Sequence, residues 1–469
     1  MHDYQRIADR IAADILSGRL KPGQRLPPQR SFARRRGIAA STAGRVYAEL
    51  VRRGLVVGEV GRGTFVRAAP VPSGRALAEP ATTAPVNLEL NYPTAPDQAA
   101  LLAPALAPLL RPDVLSEATR TAPAAGTPAA REAAGGLLAT AGWRPSPGQV
   151  LFSGNARQAI AGALAALVRP GGRVGIDALT YPLVKEIAAR LGVTLVPLAG
   201  DADGIRPDSV AAAHRTAPLS ALYLQPTLHN PTSATMPETR RRRLAADLRP
   251  WGLPVIEDRI WSFLSDGTEP FAAFAPELTY VVDGLSKRVA PGLTVGFLVV
   301  PEGRTGQAGE ALRSGGWTAG RFALEAALRW MTDGTVDRLT TAKRADASRR
   351  QRLVTEHLRG FAVQADPRTY YAWWRLPAPW RADTFTAAAA ARGIAVTPGP
   401  SFAVPAGPSF AVPATGPAPA RSPDPATSGA ADCVRLGLAS APLEALEQAL
   451  RTLASLAHGT PQGITDLPS

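Results

Sequence analysis

The chain has four lysines, Lys21, Lys185, Lys287 and Lys343, and this scarcity narrows the search for covalent carbonyl chemistry. A Schiff base needs a neutral amine, which a lysine becomes when it is desolvated beside a buried strand end. Lys287 stands in such a place. The apolar run Tyr280-Val281-Val282 leads into Asp283-Gly284-Leu285-Ser286-Lys287-Arg288, with Pro291-Gly292 beyond. Lys185 lies on an expected crossover helix. Lys343 sits among Arg344, Arg349 and Arg350 and reads as part of a solvated helix face, while Lys21 falls in a separate basic unit. By itself Lys287 reads as a loop lysine in water.

Four other segments change that reading. Ser153-Gly154-Asn155-Ala156 joins an expected strand to a helix start, where backbone N–H groups can cradle a phosphate. Thr180-Tyr181-Pro182 puts an aromatic ring after the next strand, able to stack on a flat heterocycle. Pro226-Thr227-Leu228-His229-Asn230-Pro231-Thr232 offers the Asn230 amide to a phenolic oxygen. Ile256-Glu257-Asp258 ends a strand in a carboxylate that could keep a pyridine nitrogen protonated, the state in which a pyridoxal ring withdraws electrons.

The elements that must position these groups follow from pattern. From about Asn87, short β-rich runs (149–152, 173–176, 221–224, 254–256 and 279–282) alternate with Ala/Leu-rich helical stretches such as 156–168 and 181–191. This predicts an α/β domain over 87–469 with a largely parallel sheet. Gly399–Ala406 is repeated verbatim as Gly407–Ala414, and low-complexity sequence follows, so 400–431 is expected to be a loosely ordered surface insertion without chemistry. Residues 69–86, rich in Ala, Pro, Ser and Thr, read as a semi-rigid linker.

Residues 1–68 read as a compact unit. Ile7, Ile11 and Ile15 recur every four residues on a first helix. A second helix opens at Leu26-Pro27-Pro28 and ends at Arg36, and Gly37 marks a tight turn. A third runs from about Ser41 to Arg53 with Val46, Tyr47 and Leu50 inward, and Val56-Val57 and Thr64-Phe65-Val66 form a two-stranded wing. Helix, turn, helix and wing are a groove-reading geometry. The unit holds fourteen Arg and Lys against five Asp and Glu, so most of the chain's formal +14 charge lies here, suiting a polyanion or a solvated basic face.

The first unit resembles the GntR-type winged helix-turn-helix. The shared residues are Ile15, Gly18, Pro22-Gly23, Leu26-Pro27, Arg30, Ala33, Thr42, Leu50, Gly54 and Gly61-Arg62-Gly63-Thr64-Phe65-Val66. The larger unit resembles the fold-type-I aminotransferases that bind pyridoxal 5'-phosphate (PLP). Together they resemble the MocR/GabR class of GntR-type regulators. The resemblance implies that Lys287 forms the internal aldimine, Asp258 pairs with the ring nitrogen, Asn230 contacts the ring hydroxyl and Tyr181 stacks on the ring. It also implies that Ser286 and the Asn155/Ala156 backbone hold the phosphate. Val434-Arg435-Leu436-Gly437 resembles the strand whose arginine grips a substrate carboxylate, a role Arg435 could exchange for a structural salt bridge.

The chain departs from the pattern at several positions. Trp261 stands where the family has a tyrosine, and Gly284 replaces the first serine of Ser-x-Ser-Lys. Thr294 stands where an arginine usually binds phosphate, which leaves Arg288 as an expected substitute. Ala39 and Ala40 replace a Ser-Arg pair before Thr42, so DNA contacts are expected from Arg30, Ser41, Thr42, Arg45 and Arg62.

The function implied is a PLP-dependent transcriptional regulator. An amine or amino acid would displace Lys287 in an external aldimine and alter affinity for double-stranded DNA. A homodimer would read paired half-sites. The alternative is an aminotransferase that retains a DNA-binding domain; a regulator whose sensor domain holds no cofactor is a third reading. The lone Cys433 excludes a disulfide framework, and the five histidines lack metal-ligand spacing. With no signal-peptide core and no long apolar run, a cytoplasmic, membrane-free protein is expected.

Overall fold

The computed structural model describes residues 3–16, 19–20, 23–52, 55–59, 63–66, 84–405 and 430–460. In the N-terminal unit, α1 (Asp3–Leu16) buries Ala8, Ile11 and Ala12. The short strand β1 (Arg25–Leu26) precedes α2 (Gln29–Arg36) and α3 (Ala40–Arg52). Gly37, at φ +63°, closes α2 in the left-handed region that glycine tolerates best. Val46, Tyr47 and Leu50 point inward as expected, and the Tyr47 hydroxyl donates to the Pro27 carbonyl at 2.5 Å. The wing pairs β2 (Val56–Glu59) with β3 (Gly63–Val66), and β1 adds a third strand. The sequence reading missed β1 because two residues carry no periodicity.

The larger unit is built on a seven-stranded sheet. In chain order its strands are β4 (Val150–Ser153), β5 (Arg173–Asp177), β6 (Thr194–Leu198), β7 (Ala221–Leu224), β8 (Val255–Asp258), β9 (Thr279–Gly284) and β10 (Gly296–Val299). Their spatial order is β4-β10-β9-β8-β7-β5-β6. All are parallel except β10, which runs antiparallel to both β9 and β4. Strands β7, β8 and β9 are buried throughout, hence their continuous apolar runs. Helix α4 (Ala156–Leu167) follows β4, and α5 (Pro182–Arg190) follows β5. A second core forms around an antiparallel sheet of β11 (Ala362–Gln364), β12 (Tyr371–Arg375), β13 (Thr397–Pro398) and β14 (Cys433–Gly437), in the order β11-β12-β14-β13. Val86–Asn87 pairs in parallel with Ile394–Ala395, so ordered pairing begins one residue before the expected boundary.

This topology creates the crevice. Strand β5 has β6 on one side and β7 on the other, so the loops leaving the carboxyl ends of β5 and β7 diverge. Open α/β sheets bind ligands at such switch points.

The expectation for 400–431 is corrected at both ends. Phe402 and Val404 are each 1% exposed. The Phe402 carbonyl accepts from Thr180 N and the Ala178 carbonyl from Val404 N, both at 2.9 Å. Ala430 is also buried. The first repeat copy is therefore anchored in the domain through Val404, whereas the second copy and the low-complexity stretch lie outside the described residues.

Candidate functional site

A one-turn helix, α6 (Leu285–Arg288), leaves β9 at Gly284 and carries Ser286 and Lys287, both half-buried. A side chain at Gly284 would press on the Val295 carbonyl at 3.0 Å, so the residue in the first serine's position must be small. Lys287 Nζ donates to the Asn91 carbonyl at 2.6 Å and lies 4.2 Å from the Tyr92 ring centroid and 5.1 Å from that of Trp261. Burial, reinforced by the positive charges of Arg157, Arg435 and Lys343, pulls its pKa down to about 7. Lys343, expected on a solvated face, is fully buried on α7 (Thr335–His357). Its ammonium donates to the carbonyls of Lys287, Arg288 and Val289 at 3.0, 3.0 and 2.7 Å, tying down the far end of α6.

Asp258 ends β8, 3% exposed. Its Oδ2 accepts from the Tyr223 hydroxyl at 2.6 Å and from Gln225 Nε2 at 2.9 Å, and its Oδ1 accepts from Ile260 N at 3.0 Å. Burial raises its pKa to about 6 against these hydrogen bonds, so it remains a carboxylate at neutral pH. The sequence reading missed Tyr223 and Gln225. Their signal was two polar tips spaced by two in an apolar strand, on the side-chain alternation that points both one way. It also missed Tyr92, which lies far from every other motif. Tyr181 is the N-cap residue of α5, its hydroxyl pKa raised first by burial, with Arg157, Tyr92, Asp258 and Arg435 all acting on it. Asn230, 9% exposed, precedes a cis Pro231. Trp261 is buried against Tyr371, ring centroids 5.5 Å apart.

Asn155 caps α4, its Oδ1 accepting from Gln158 N at 3.0 Å, so its side chain is used within the helix turn. What the junction offers a ligand is the first-turn N–H groups of Asn155, Ala156 and Arg157, which have no acceptor inside the helix. Gly296 admits this junction against β10, since a Cβ there would come within 2.3 Å of the Asn155 carbonyl carbon. Arg288 does not take the phosphate role expected of it. It pairs with Asp283 at 2.7 Å, both buried. Asp283 alternates with Val282, which shares the sheet face of Asp258, so Arg288 is anchored on the opposite face.

Arg435 on β14 is 8% exposed. One amino group donates to the Glu89 carbonyl at 2.7 Å and to Thr397 Oγ1 at 3.2 Å, and the guanidinium lies 5.5 Å from the Phe402 ring centroid. No carboxylate among the described residues pairs with it within 4 Å. Burial lowers its pKa to about 10.

These residues fit pyridoxal phosphate. Asn230 Oδ1, Gln158 Oε1 and Arg435 Nε are buried with no hydrogen-bond partner, an uncommon condition that a polar ligand relieves. A low-pKa amine lies between two aromatic rings, and a carboxylate with its own donors stands at the neighbouring strand end. No group of three His, Cys, Asp or Glu among the described residues could hold a metal.

In the N-terminal unit Arg30, Ser41 and Arg45 are exposed and Thr42 is half-buried, on α2 and the first half of α3. Arg34, Arg35 and Arg36 are exposed beside them. Arg62 lies outside the described residues. No single helix among the described residues is long and apolar enough to cross a membrane.

Comparison with known proteins agrees at both ends of the chain. Residues 88–418 match the family described as aminotransferase class I and II, and residues 3–66 match the gntR family of bacterial regulatory proteins. The HTH-type transcriptional regulator YdeF of Bacillus subtilis (strain 168) is 30% identical over 84% of this chain and 85% of its own. The HTH-type pyridoxine biosynthesis transcriptional regulator PdxR of Corynebacterium glutamicum is 26% identical over 63% of this chain and 65% of its own. Among solved structures, a kynurenine aminotransferase of Pyrococcus horikoshii superposes with a TM-score of 0.70 at 18% identity, covering 84% of this chain and 95% of that one.

Proposed function

This chain belongs to the aminotransferase class I and II family and carries a gntR-family head in the MocR-type arrangement, making it a DNA-binding transcriptional regulator, and from that premise we propose that its larger domain is a PLP-dependent sensor of an amine or amino acid. The observation that carries this reading is Lys287: an amine of pKa about 7 held between Tyr92 and Trp261 at the carboxyl edge of the sheet that also presents Asp258.

Bound there, pyridoxal phosphate supplies an aldehyde carbon at which one amine can be exchanged for another. The chain's own residues do the rest. Tyr92 and Trp261 exclude water around Lys287 Nζ. Tyr223 and Gln225 hold Asp258 in position to keep a proton on a ring nitrogen. Asn230 offers its amide to a ring oxygen, and Tyr181 offers a flat face. Arg435, which forms no ion pair within 4 Å among the described residues, suits the carboxylate of an amino acid. Trp261 offers a single indole N–H where the family has a phenol hydroxyl, so it can donate one hydrogen bond but accept none.

The sensor must bind its effector with different affinity in two arrangements of the protein, and that difference sets the change in DNA affinity. A homodimer reading paired half-sites in the cytoplasm completes the proposal. The test uses the full chain loaded with pyridoxal phosphate and a duplex selected on it from a random pool. A panel of amines and amino acids is screened for a change in cofactor absorbance, with DNA affinity followed in parallel. A compound that shifts both, DNA affinity by fivefold or more, is the expected result. Sustained turnover with a keto acid would favour an aminotransferase, and a protein that stays colourless would end the proposal.

A further inference from the structure

The phosphate cradle lacks a fixed positive charge where the sequence pattern expects one. Thr294 holds that position, with its Oγ1 buried and unpartnered. Neighbouring cations are spent elsewhere. Arg288 is paired with Asp283 across the sheet, and Lys343 is held by three carbonyls. Lys185 Nζ is held by the carbonyls of Ser401 and Ala403.

Arg157 differs from all of these. It sits in the first turn of α4, half-buried, and makes no hydrogen bond or ion pair with the described residues. Its place is otherwise unfavourable, since a cation in a first turn faces the positive end of the helix dipole and three N–H groups without acceptors. A dianion across that helix end reverses the balance. The turn lies against the end of β9, where α6 begins, because a Cβ at Gly284 would meet Ala156 Cβ at 3.6 Å. Of the charges acting on Lys287 and on Tyr181, that of Arg157 is the largest in each case.

We propose that Arg157 supplies the guanidinium that closes the phosphate cradle of pyridoxal phosphate, standing in for the arginine replaced by Thr294. This rests on the cofactor reading above, and its test separates the two. The full-length chain and its Arg157→Gln and Arg157→Lys variants are titrated with pyridoxal phosphate and with pyridoxal, which lacks the phosphate. Binding is read from cofactor absorbance. Arg157→Gln is expected to weaken pyridoxal phosphate binding by about ten- to a hundredfold, as for loss of a charge-assisted hydrogen bond, and pyridoxal binding by less than about threefold. Arg157→Lys, which keeps the charge, should lose markedly less. If the preference for the phosphorylated compound survives Arg157→Gln, or if both compounds weaken equally, the assignment is overturned while the cofactor reading stands. If the unaltered chain binds neither compound, both fall.

Discussion

The condensation of Lys287 with an aldehyde should be fast at neutral pH and nearly independent of pH above it. Moving its pKa from 10.5 to about 7 disfavours the ammonium by about 5 kcal/mol, at about 1.36 kcal/mol per unit. At pH 7.5 such an amine is about three-quarters neutral, against about one part in a thousand for an ordinary lysine. A less basic amine is a weaker nucleophile, so the net gain in rate is about one to two orders of magnitude. Rapid mixing of cofactor-free protein with pyridoxal phosphate, followed by visible absorbance from pH 6 to 9.5, measures this directly. The rate should level off above about pH 7.5 and fall about tenfold per unit below about 6.5. A rate that climbs tenfold per unit through pH 9 would refute the reasoning, because the lysine would then be titrating as in water. Stability follows the same proton. The folded pKa lies below the unfolded one, so the native state binds fewer protons between about pH 7 and 10.5. The penalty for burying the charge is full below that window and is relieved as pH rises through it.

Lys343→Met removes the donor to three buried carbonyls and should destabilise the domain by about 2–4 kcal/mol, read as a lower urea midpoint at unchanged m-value; a change under about 0.5 kcal/mol would mean the carbonyls find other partners. Asp258→Asn keeps an acceptor for Tyr223 and Gln225 but sets its amide NH2 against the Ile260 N–H, so it should remain folded at a cost of about 1–3 kcal/mol and weaken cofactor binding about tenfold or more in an absorbance titration. Arg30→Ala and Arg45→Ala should each weaken DNA binding and flatten the plot of log affinity against log salt by about one unit for each phosphate no longer neutralised, and an unchanged slope would place the binding surface elsewhere. Phe402→Ala, emptying a site packed by Trp373 and Arg435, should cost about 3–5 kcal/mol in chemical denaturation.

The buried parallel strands were legible because continuous apolar runs have few other uses. Strands β6 and β10 were not: β6 contains Pro197 and is only half-buried, and β10 begins at a glycine. The reactive motifs were legible because each follows a strand end, where topology gathers them at one edge. Lys343 was misread from its charged neighbours, although its helical period told otherwise: Lys343, Ala347, Arg350 and Val354 recur at spacings of four, three and four, and all are buried. Arg288 was misread because one residue of alternation decides which sheet face a side chain reaches. Tyr92 was invisible because nothing local announces an approach across nearly two hundred positions.

The duplicated octapeptide bears on how this fold accepts extra chain. The seat beneath Arg435 takes Gly399 where a Cβ would collide with the Ala430 carbonyl at 2.2 Å, and takes Phe402 where an aromatic ring must fill the space. Gly407 and Phe410 repeat those residues in the same spacing. Sliding the chain by eight would therefore refill the seat atom for atom and merely move slack from one side of it to the other, at a small loop-closure cost. A duplicated anchor would thus let this segment lengthen by one repeat while the seat beneath Arg435 keeps the same residue types.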